Sequence, residues 1–585
     1  MNYTNTGGMA LSLSQFDLDL ELLNSFVEDK CGGKEYYFGC WSADDFVFEH
    51  TMIPPNIQLE MGKNWLVLRN GADVTNGLIF PKDAKDDPEV VVFRGYLADD
   101  ALHSYSDPNI VKDYWSGDLL KQHNGVFSAV TISDGGQKLN VITDLFGMGP
   151  VYTRKIGNFI FFSSAASLLS FEDDEPDMTA WYMRLIIGSV PGVRSLSTSI
   201  TLCESASVTS YSANEQTVSK WYDLNQLPRG EYPVNEDTLK RSEKSLSEAI
   251  RKCLNLKNGR IILPLSGGYD SRRLFGHLNT SKVEFETISV QMPTKMGADV
   301  DGMIASQIAK DHHVKNIALK YPSDQQWNKN NEKRILALDA LCDSHTWSPP
   351  LFQEIGHQYS CVYDGIAGDT FVGDGWRYKN FDEDILEDNF PKALNQKSFP
   401  EVKTVLSELT RMHNAQPDGP NKGLFTYVAW HSRRNTSLWS QQQALPGQLI
   451  VCPYFDLNYV ITMLNYVLED GDMYRIQRGV IEKYWHKLNS YASTRSLPDL
   501  YESLGRLADE RKDQALRKLM KEIQRNKVQG FRLSTALSFL GNLAMFANRF
   551  SRSIRNKTYW WACQISEIFF WWQNRPSFIK MKKEK

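Results

Sequence analysis

Residues 261–278 read IILPLSGGYDSRRLFGHL: an apolar run, then Ser-Gly-Gly-Tyr-Asp-Ser, then a segment with helical spacing. From about residue 235 onward, strand-like and helical segments alternate through GRIILPL, DSRRLFGHL, FETISVQ, DGMIASQIAKD, NIALK and SCVYDGI. That alternation predicts a parallel sheet flanked by helices, and in such a sheet ligands sit off the carboxyl ends of strands. Gly267 and Gly268 are expected to take backbone angles closed to other residues and to let the backbone come close to a ligand. Loop amides and the start of the following helix favour an anion. The hydroxyls of Ser266 and Ser271 can donate to phosphate oxygens, whereas Asp270 as a carboxylate only accepts. A carboxylate beside phosphates makes sense with a divalent cation between them. The structural alternative is a plain turn closed by an aspartate cap. No Gly-Lys-Ser/Thr follows, so this is not a Walker loop. A lysine-free loop with Mg2+ suits pyrophosphate as a leaving group.

Working outward, the 585 residues exceed what one core supports, so several domains are expected. The net charge of -5 gives no nucleic-acid-binding face over the whole chain. Eight cysteines without CxxC pairs or metal-like spacing point to reduced thiols and a cytoplasmic setting. The first residues, MNYTNTGGMALSLSQFDLDLELL, lack the basic-then-apolar pattern of a signal peptide. No apolar run is long enough for a membrane span. To about residue 215, short strand-like runs recur between Gly, Asp and Asn turns: EYYFGCW, NWLVLRN, VVVFRGYL, GVFSAVTISD, LNVITD and NFIFFSS. These predict stacked antiparallel sheets. In residues 235–254, NEDTLKRSEKSLSEAIRKCL, Asn235 is the expected N-cap of a helix. After about residue 450 the chain reads as mostly helical.

SGGYDS resembles the signature of the ATP pyrophosphatases, the PP-loop enzymes that form adenylated intermediates. Residues 363–375, YDGIAGDTFVGDG, resemble the SGEGADELFGGY element of asparagine synthetases, although in isolation a glycine-rich loop is an equal alternative. That resemblance puts Asp369 in place of the family's second magnesium-binding carboxylate, with Asp270 as the first. It also puts Asp364 and Gly365 where the family contacts the nucleotide. TISVQM followed by DGMIASQIAKDHHV resembles the next strand and helix, so Val290 would line the adenine pocket with Leu265. His312 and His313 then fall near the family's paired histidines, here read as structural or surface residues. CPYFDLNYV (452–460) resembles the PFLD element, which makes Asp456 an organiser of the site floor. YRIQRGVIEKYW (474–485) falls where the family carries basic residues. Lys483 and Arg478 are therefore the catalytic candidates for steadying the adenylate, against the plain alternative of solvated helix charges.

In the amino-terminal half, VVVFRGYLADD, NGVFSAVTISD and TDLFGMGPVY resemble, in order, the glutaminase half of asparagine synthetases. The resemblances span roughly residues 35–510. Such glutaminases use a Cys at position 2 freed by Met removal, its own amine acting as base. Position 2 is Asn here, and the first cysteines are Cys31 and Cys40. A thiolate is the nucleophile at neutral pH and an amide cannot replace it, so this half is expected to be inactive as a glutaminase. β-Lactam synthetases and lasso-peptide cyclases show the same pattern. The Glu of the family's GEGAD, a catalytic Tyr in β-lactam synthetases, is matched by Ile366, which accepts no proton.

The resemblance thus implies an α+β N-terminal Ntn-hydrolase-like sandwich (1–215) followed by an α/β adenine nucleotide alpha hydrolase-like (PP-loop) synthetase domain (235–525). A basic aromatic tail (526–585) completes the chain. It further implies a ligase using ATP and Mg2+ on a small-molecule or peptide carboxylate and an amine donor, with no nucleic acid as partner. An ammonia-dependent asparagine synthetase, a peptide macrocyclase, a sugar-acid amidating enzyme of surface polysaccharide synthesis and a non-catalytic scaffold stay open as alternatives, as does a homodimer. In the tail, Trp560, Trp561, Phe569, Phe570, Trp571 and Trp572 stand near Lys557, Arg575, Lys580, Lys582 and Lys583. They read either as a helix at an anionic membrane surface or as an aromatic face packed against the synthetase domain.

Overall fold

The computed structural model describes residues 10–12, 15–46, 49–50, 53–70, 78–79, 89–98, 124–256, 259–291, 300–320, 324–341, 348–372, 400–430, 443–468, 472–493, 564–565 and 567–582. Asn2, Lys557, Trp560, Trp561 and Lys583 lie outside them.

The amino-terminal half is two six-stranded sheets built from antiparallel pairs. One runs Thr201–Leu202, Tyr152–Ile156, Phe159–Ser163, Tyr37–Ser42, Trp65–Asn70, Ile57–Met61; the other includes Ser207–Tyr211, Lys138–Thr143, Asn124–Ser133 and Glu89–Ala98. Successive strand side chains point to opposite faces, and the residues obey that period. Tyr37, Trp41, Val67, Ile160 and Phe162 meet Val92, Val130, Leu139 and Val141 in the core between the sheets. Phe38, Cys40, Leu66, Leu68, Phe159 and Phe161 face the other way into the larger core. Gly39 breaks the bulky pattern because a Cβ there would stand 2.1 Å from the Phe162 ring.

The second half is a five-stranded all-parallel sheet in the order Asn316–Leu319, Phe285–Val290, Ile261–Pro264, Cys361–Tyr363, Leu449–Val451. The edge strand Leu449–Val451 lies at the start of the stretch the sequence reads as mostly helical and is not itself singled out there; three residues are too few to show a period. Its entry helix, Glu236–Leu254, starts at Asn235 as expected, with a reciprocal capping box to Thr238. The described part of the tail joins the amino-terminal half. Ile579–Met581 pairs antiparallel with Phe16–Asp19, and the Phe578 ring meets Phe38 at 5.1 Å. Phe569 and Trp572 stand edge-on to Trp181, and Trp571 is fully buried with its indole N–H donating to Asp339. Its packing partners therefore lie largely in the N-terminal half. No described helix is long and apolar enough to cross a membrane.

Candidate active site at the carboxyl edge of the parallel sheet

The central strand Ile261–Pro264 hands the chain one way, to Phe285–Val290, while Cys361–Tyr363 lies on its other side. The strand order therefore reverses between Ile261–Pro264 and Cys361–Tyr363. The crevice outside their carboxyl ends is where open α/β sheets bind ligands. Both sequence-derived loops, 265–271 and 364–369, leave the sheet at that crevice.

The first loop runs straight into the helix Tyr269–Thr280. Its N-cap is Gly268, with no side chain bonded back, so the aspartate-capped turn is not what forms. Neither Gly267 nor Gly268 sits in the left-handed region, and Gly268 has φ -77°. The expected special backbone angles are thus absent. What Gly268 supplies is room, since a Cβ would come 3.2 Å from Ser266 Oγ. The Ser266 amide donates to Ser271 Oγ (3.2 Å), the Gly268 amide to Ser266 Oγ (3.1 Å), and the two hydroxyls lie 3.1 Å apart. The Gly267 amide donates to Asp301 Oδ1 at 2.5 Å. This amide already holds a carboxylate oxygen, the kind of partner a phosphate would be.

The second loop presses directly onto the first. A Cβ on Gly368 would lie 2.6 Å from Asp270 Cγ, and one on Gly365 would lie 3.2 Å from the Ser271 amide nitrogen. Only glycine allows that approach. Ala367, between them, holds φ +65°, a strained angle for a residue with a Cβ. Asp369 follows Gly368 and is partly exposed, so the two acidic residues singled out from the sequence are brought to one junction. Asp364 is buried and shapes its own loop: its amide donates to Val451 O (2.8 Å) and its Oδ1 accepts from the Ile366 amide (3.1 Å).

Gln477 locks the junction, and sequence reasoning missed it. Its Nε2 donates to Asp270 Oδ1 (2.6 Å) and to Gly368 O (2.5 Å), while its Oε1 accepts from Arg273 (2.6 Å). Arg273 is fully buried and also donates to Glu243 at 3.1 Å. Burial works to raise the Glu243 carboxyl, but the His277 hydrogen bond and the Arg273 charge outweigh it and hold it below its ordinary value. The Tyr454 hydroxyl donates to Asp270 O (3.0 Å). Asp456, two residues on, caps the helix Leu457–Leu464 through the amides of Asn458 and Tyr459 and lies 3.7 Å from Lys252.

Leu265 is buried, its amide bonded to Ile288 O (2.9 Å), and Val290 ends the neighbouring strand half-buried. Arg478 and Lys483 stand on the exposed side of the helix Asp472–Tyr484. Arg478 donates to Glu482 (2.6 Å) and Lys483 to Glu236 (3.3 Å). Arg478 follows Gln477 directly on that helix. Lys483 is turned to the start of the entry helix.

In the amino-terminal half, burial pushes the Cys31 thiol up to about 12 and raises Cys40 as well. Asp144 of TDLFGMGPVY is buried and accepts four amides, those of Phe127, Phe146, Met148 and Gly149, a loop-building role.

The chemistry of the donors fits a hard cation. Mg2+ is usually held by one or two carboxylates plus phosphate oxygens and water, and Asp270 with Asp369 would supply the carboxylates. Among the described residues there is no cluster of three or more His, Cys, Asp or Glu side chains able to hold a metal by themselves.

No family model matches this chain. No curated protein matches it either. Among solved structures, it is similar to a glutamine phosphoribosylpyrophosphate amidotransferase from B. subtilis complexed with ADP and GMP, at 7% identity and TM-score 0.22, covering 55% of this chain and 92% of that one. A U34-tRNA thiolase from Methanococcus maripaludis is similar at 9% identity and TM-score 0.21, covering 56% and 79%. An NH3-dependent NAD synthetase from Campylobacter jejuni is similar at 13% identity and TM-score 0.18, covering 33% and 93%. Likenesses this slight say nothing about substrate or reaction.

Proposed function

We propose that this chain is an ATP-dependent, AMP- and pyrophosphate-forming ligase that joins a substrate carboxylate to an amine or ammonia. The observation that carries the reading is the junction itself: two glycine-bearing loops meet at the strand-order reversal, with Asp270 bonded by Gln477 against Gly368 and Asp369 next in the chain. Ser266, Gly267, Gly268 and Ser271 would offer amides and hydroxyls to pyrophosphate. Leu265 and Val290 would flank the adenine, and Asp364 and Gly365 would form the loop wall beside it. Asp270 and Asp369 would hold Mg2+, which neutralises charge on the departing pyrophosphate.

In the first step a carboxylate oxygen bonds to the α-phosphorus while the bond from that phosphorus to the bridging oxygen breaks. In the second, the amine nitrogen bonds to the acyl carbon, AMP leaves with the bonding pair, and the amine gives up a proton. Ile366 cannot take that proton. Arg478, exposed and one residue past Gln477, is the better-placed cation for the acyl phosphate; it would leave Glu482 to act, as Lys483 would leave Glu236. The buried, raised thiols of Cys31 and Cys40 support an amine that arrives without glutamine hydrolysis in the amino-terminal half.

The test is ATP–pyrophosphate exchange across a panel of carboxylic acids. The reading expects Mg2+-dependent exchange with one acid class, lost in Asp270→Ala and Asp369→Ala. No exchange with any acid, together with no ATP binding, overturns it.

A further inference from the structure

A part-open chamber of about 130 Å3 lies beside the site, at the seam between the two halves. Its wall is mostly apolar, part aliphatic and part aromatic, and includes Phe146, Phe371, Met412, Leu424, Trp430 and Leu464. Phe371 is two residues from Asp369, at most about 7 Å along the chain, within a turn closed by the Val372 amide on Asp369 O (3.3 Å). The rings of Phe146, Phe371 and Phe455 meet one another at 5.6 to 5.8 Å. Phe455 adjoins Tyr454, whose hydroxyl holds Asp270 O. The second loop thus reaches the chamber wall at Phe371, and the first connects to it through Tyr454 and Phe455.

The chamber also has an outward side. A polar cleft of about 540 Å3 shares Gly192, Ser205 and Met412 with it. Arg194 is held there by Asp177 (2.7 Å) and Glu408 (3.1 Å) and Lys220 by Glu204 (2.6 Å), and Arg411 also lines the cleft. Its three cations and three carboxylates balance in number, so the cleft does not repel an incoming acid.

Close-packed interiors fill their voids. An apolar space of about this volume accepts a guest the size of benzene. We propose that the chamber receives the apolar body of the acid to be activated, one aryl ring or a short branched alkyl group, with the carboxyl directed to Asp369. This rests on the ligase reading and narrows its substrate to small hydrophobic acids, against dicarboxylic acids such as aspartate.

Binding of 3-phenylpropanoate, aspartate and Mg2+-pyrophosphate is measured by titration calorimetry on the full chain, for the wild type and for Val428→Trp, which fills the chamber. The proposal expects 3-phenylpropanoate to bind the wild type, aspartate not to, and V428W to weaken 3-phenylpropanoate at least tenfold with pyrophosphate unchanged. Equal 3-phenylpropanoate affinity in both proteins, or a preference for aspartate, overturns it. If pyrophosphate binds neither protein while 3-phenylpropanoate binding still depends on residue 428, the chamber stands as a hydrophobic-acid site and the ligase reading falls. Should V428W not melt cooperatively, Leu424→Phe narrows the same space, and the wild-type preference between the two acids decides by itself.

Discussion

The carboxylate of Asp301, at the start of the helix Val300–Asp311, accepts a hydrogen bond from the Gly267 amide at 2.5 Å. Gly267 is gripped from the other side by Arg272, which donates to its carbonyl oxygen at 2.9 Å. A phosphate oxygen seeking that amide must displace Asp301 and meet its charge. Asp301→Asn should therefore bind Mg2+-pyrophosphate more tightly. Relief of one charge-assisted hydrogen bond is worth about 1.5 kcal/mol, roughly tenfold. Calorimetric titration reads this directly; weaker binding would mean that Asp301 helps hold the ligand.

Gly368→Ala tests the contact between the loops. Its Cβ would stand 2.6 Å from Asp270 Cγ and 2.7 Å from Oδ1, the oxygen that Gln477 clasps. The loops must separate, so nucleotide binding should fall by more than about tenfold while circular dichroism stays native. Gln477→Leu removes the clasp chemically. Asp270 and the buried Arg273 each lose a partner, which costs about 1–3 kcal/mol and raises the Mg2+ concentration needed for exchange.

Glu567 makes a different prediction, about the tail. It is the carboxylate shared by Arg184, at 3.4 Å, and Arg334, in a shorter contact, and both guanidiniums are fully buried. Glu567→Ala should destabilise the protein by about 3–5 kcal/mol, seen as a drop in Tm. Glu567→Gln, which keeps the shape and loses the charge, should fall between wild type and Glu567→Ala. An unchanged Tm for both variants would mean that the tail does not hold the fold.

Some of this was legible in the sequence and some was not, for physical reasons. Strand runs such as Tyr37–Ser42 and the strand–loop–helix at 261–278 follow from apolar runs set between turn residues, and the Asn235 cap from local hydrogen bonding. Gln477 escaped notice because a neutral amide carries no charge signal beside Arg478 and Lys483, which turn outward. Arg272 and Arg273 are adjacent on one helix yet both fully buried. Helical spacing places a stripe, not the carbonyls of Leu488, Tyr491 and Ala492 that receive Arg272 from a distant segment. The burial of Trp571 likewise depends on Asp339, far away in the chain.

The amino ends of the parallel strands carry stability, not chemistry. Glu286 accepts from Arg260 (2.5 Å) and Tyr359 (2.6 Å) and pairs with Lys315 (2.7 Å). Burial pushes its carboxyl up, but the bonds from Lys315, Tyr359 and Arg260 prevail and take it from 4.5 to about 2. A carboxyl depressed on folding stabilises above its unfolded value and loses that stability as pH falls. The loss should run from about pH 4.5 down to about 2. Arg260 and Lys315 are largely exposed, so screening limits it to ~1 kcal/mol. Glu286→Gln should flatten this acid limb in pH-resolved melting and leave pyrophosphate binding unchanged.

The most direct measurement is calorimetric titration of pyrophosphate into the wild type, Asp270→Asn and Asp369→Asn, each with and without Mg2+. The account predicts binding that requires Mg2+ in the wild type and falls at least about tenfold in either variant. Binding that ignores Mg2+, or that survives in both variants, would contradict it.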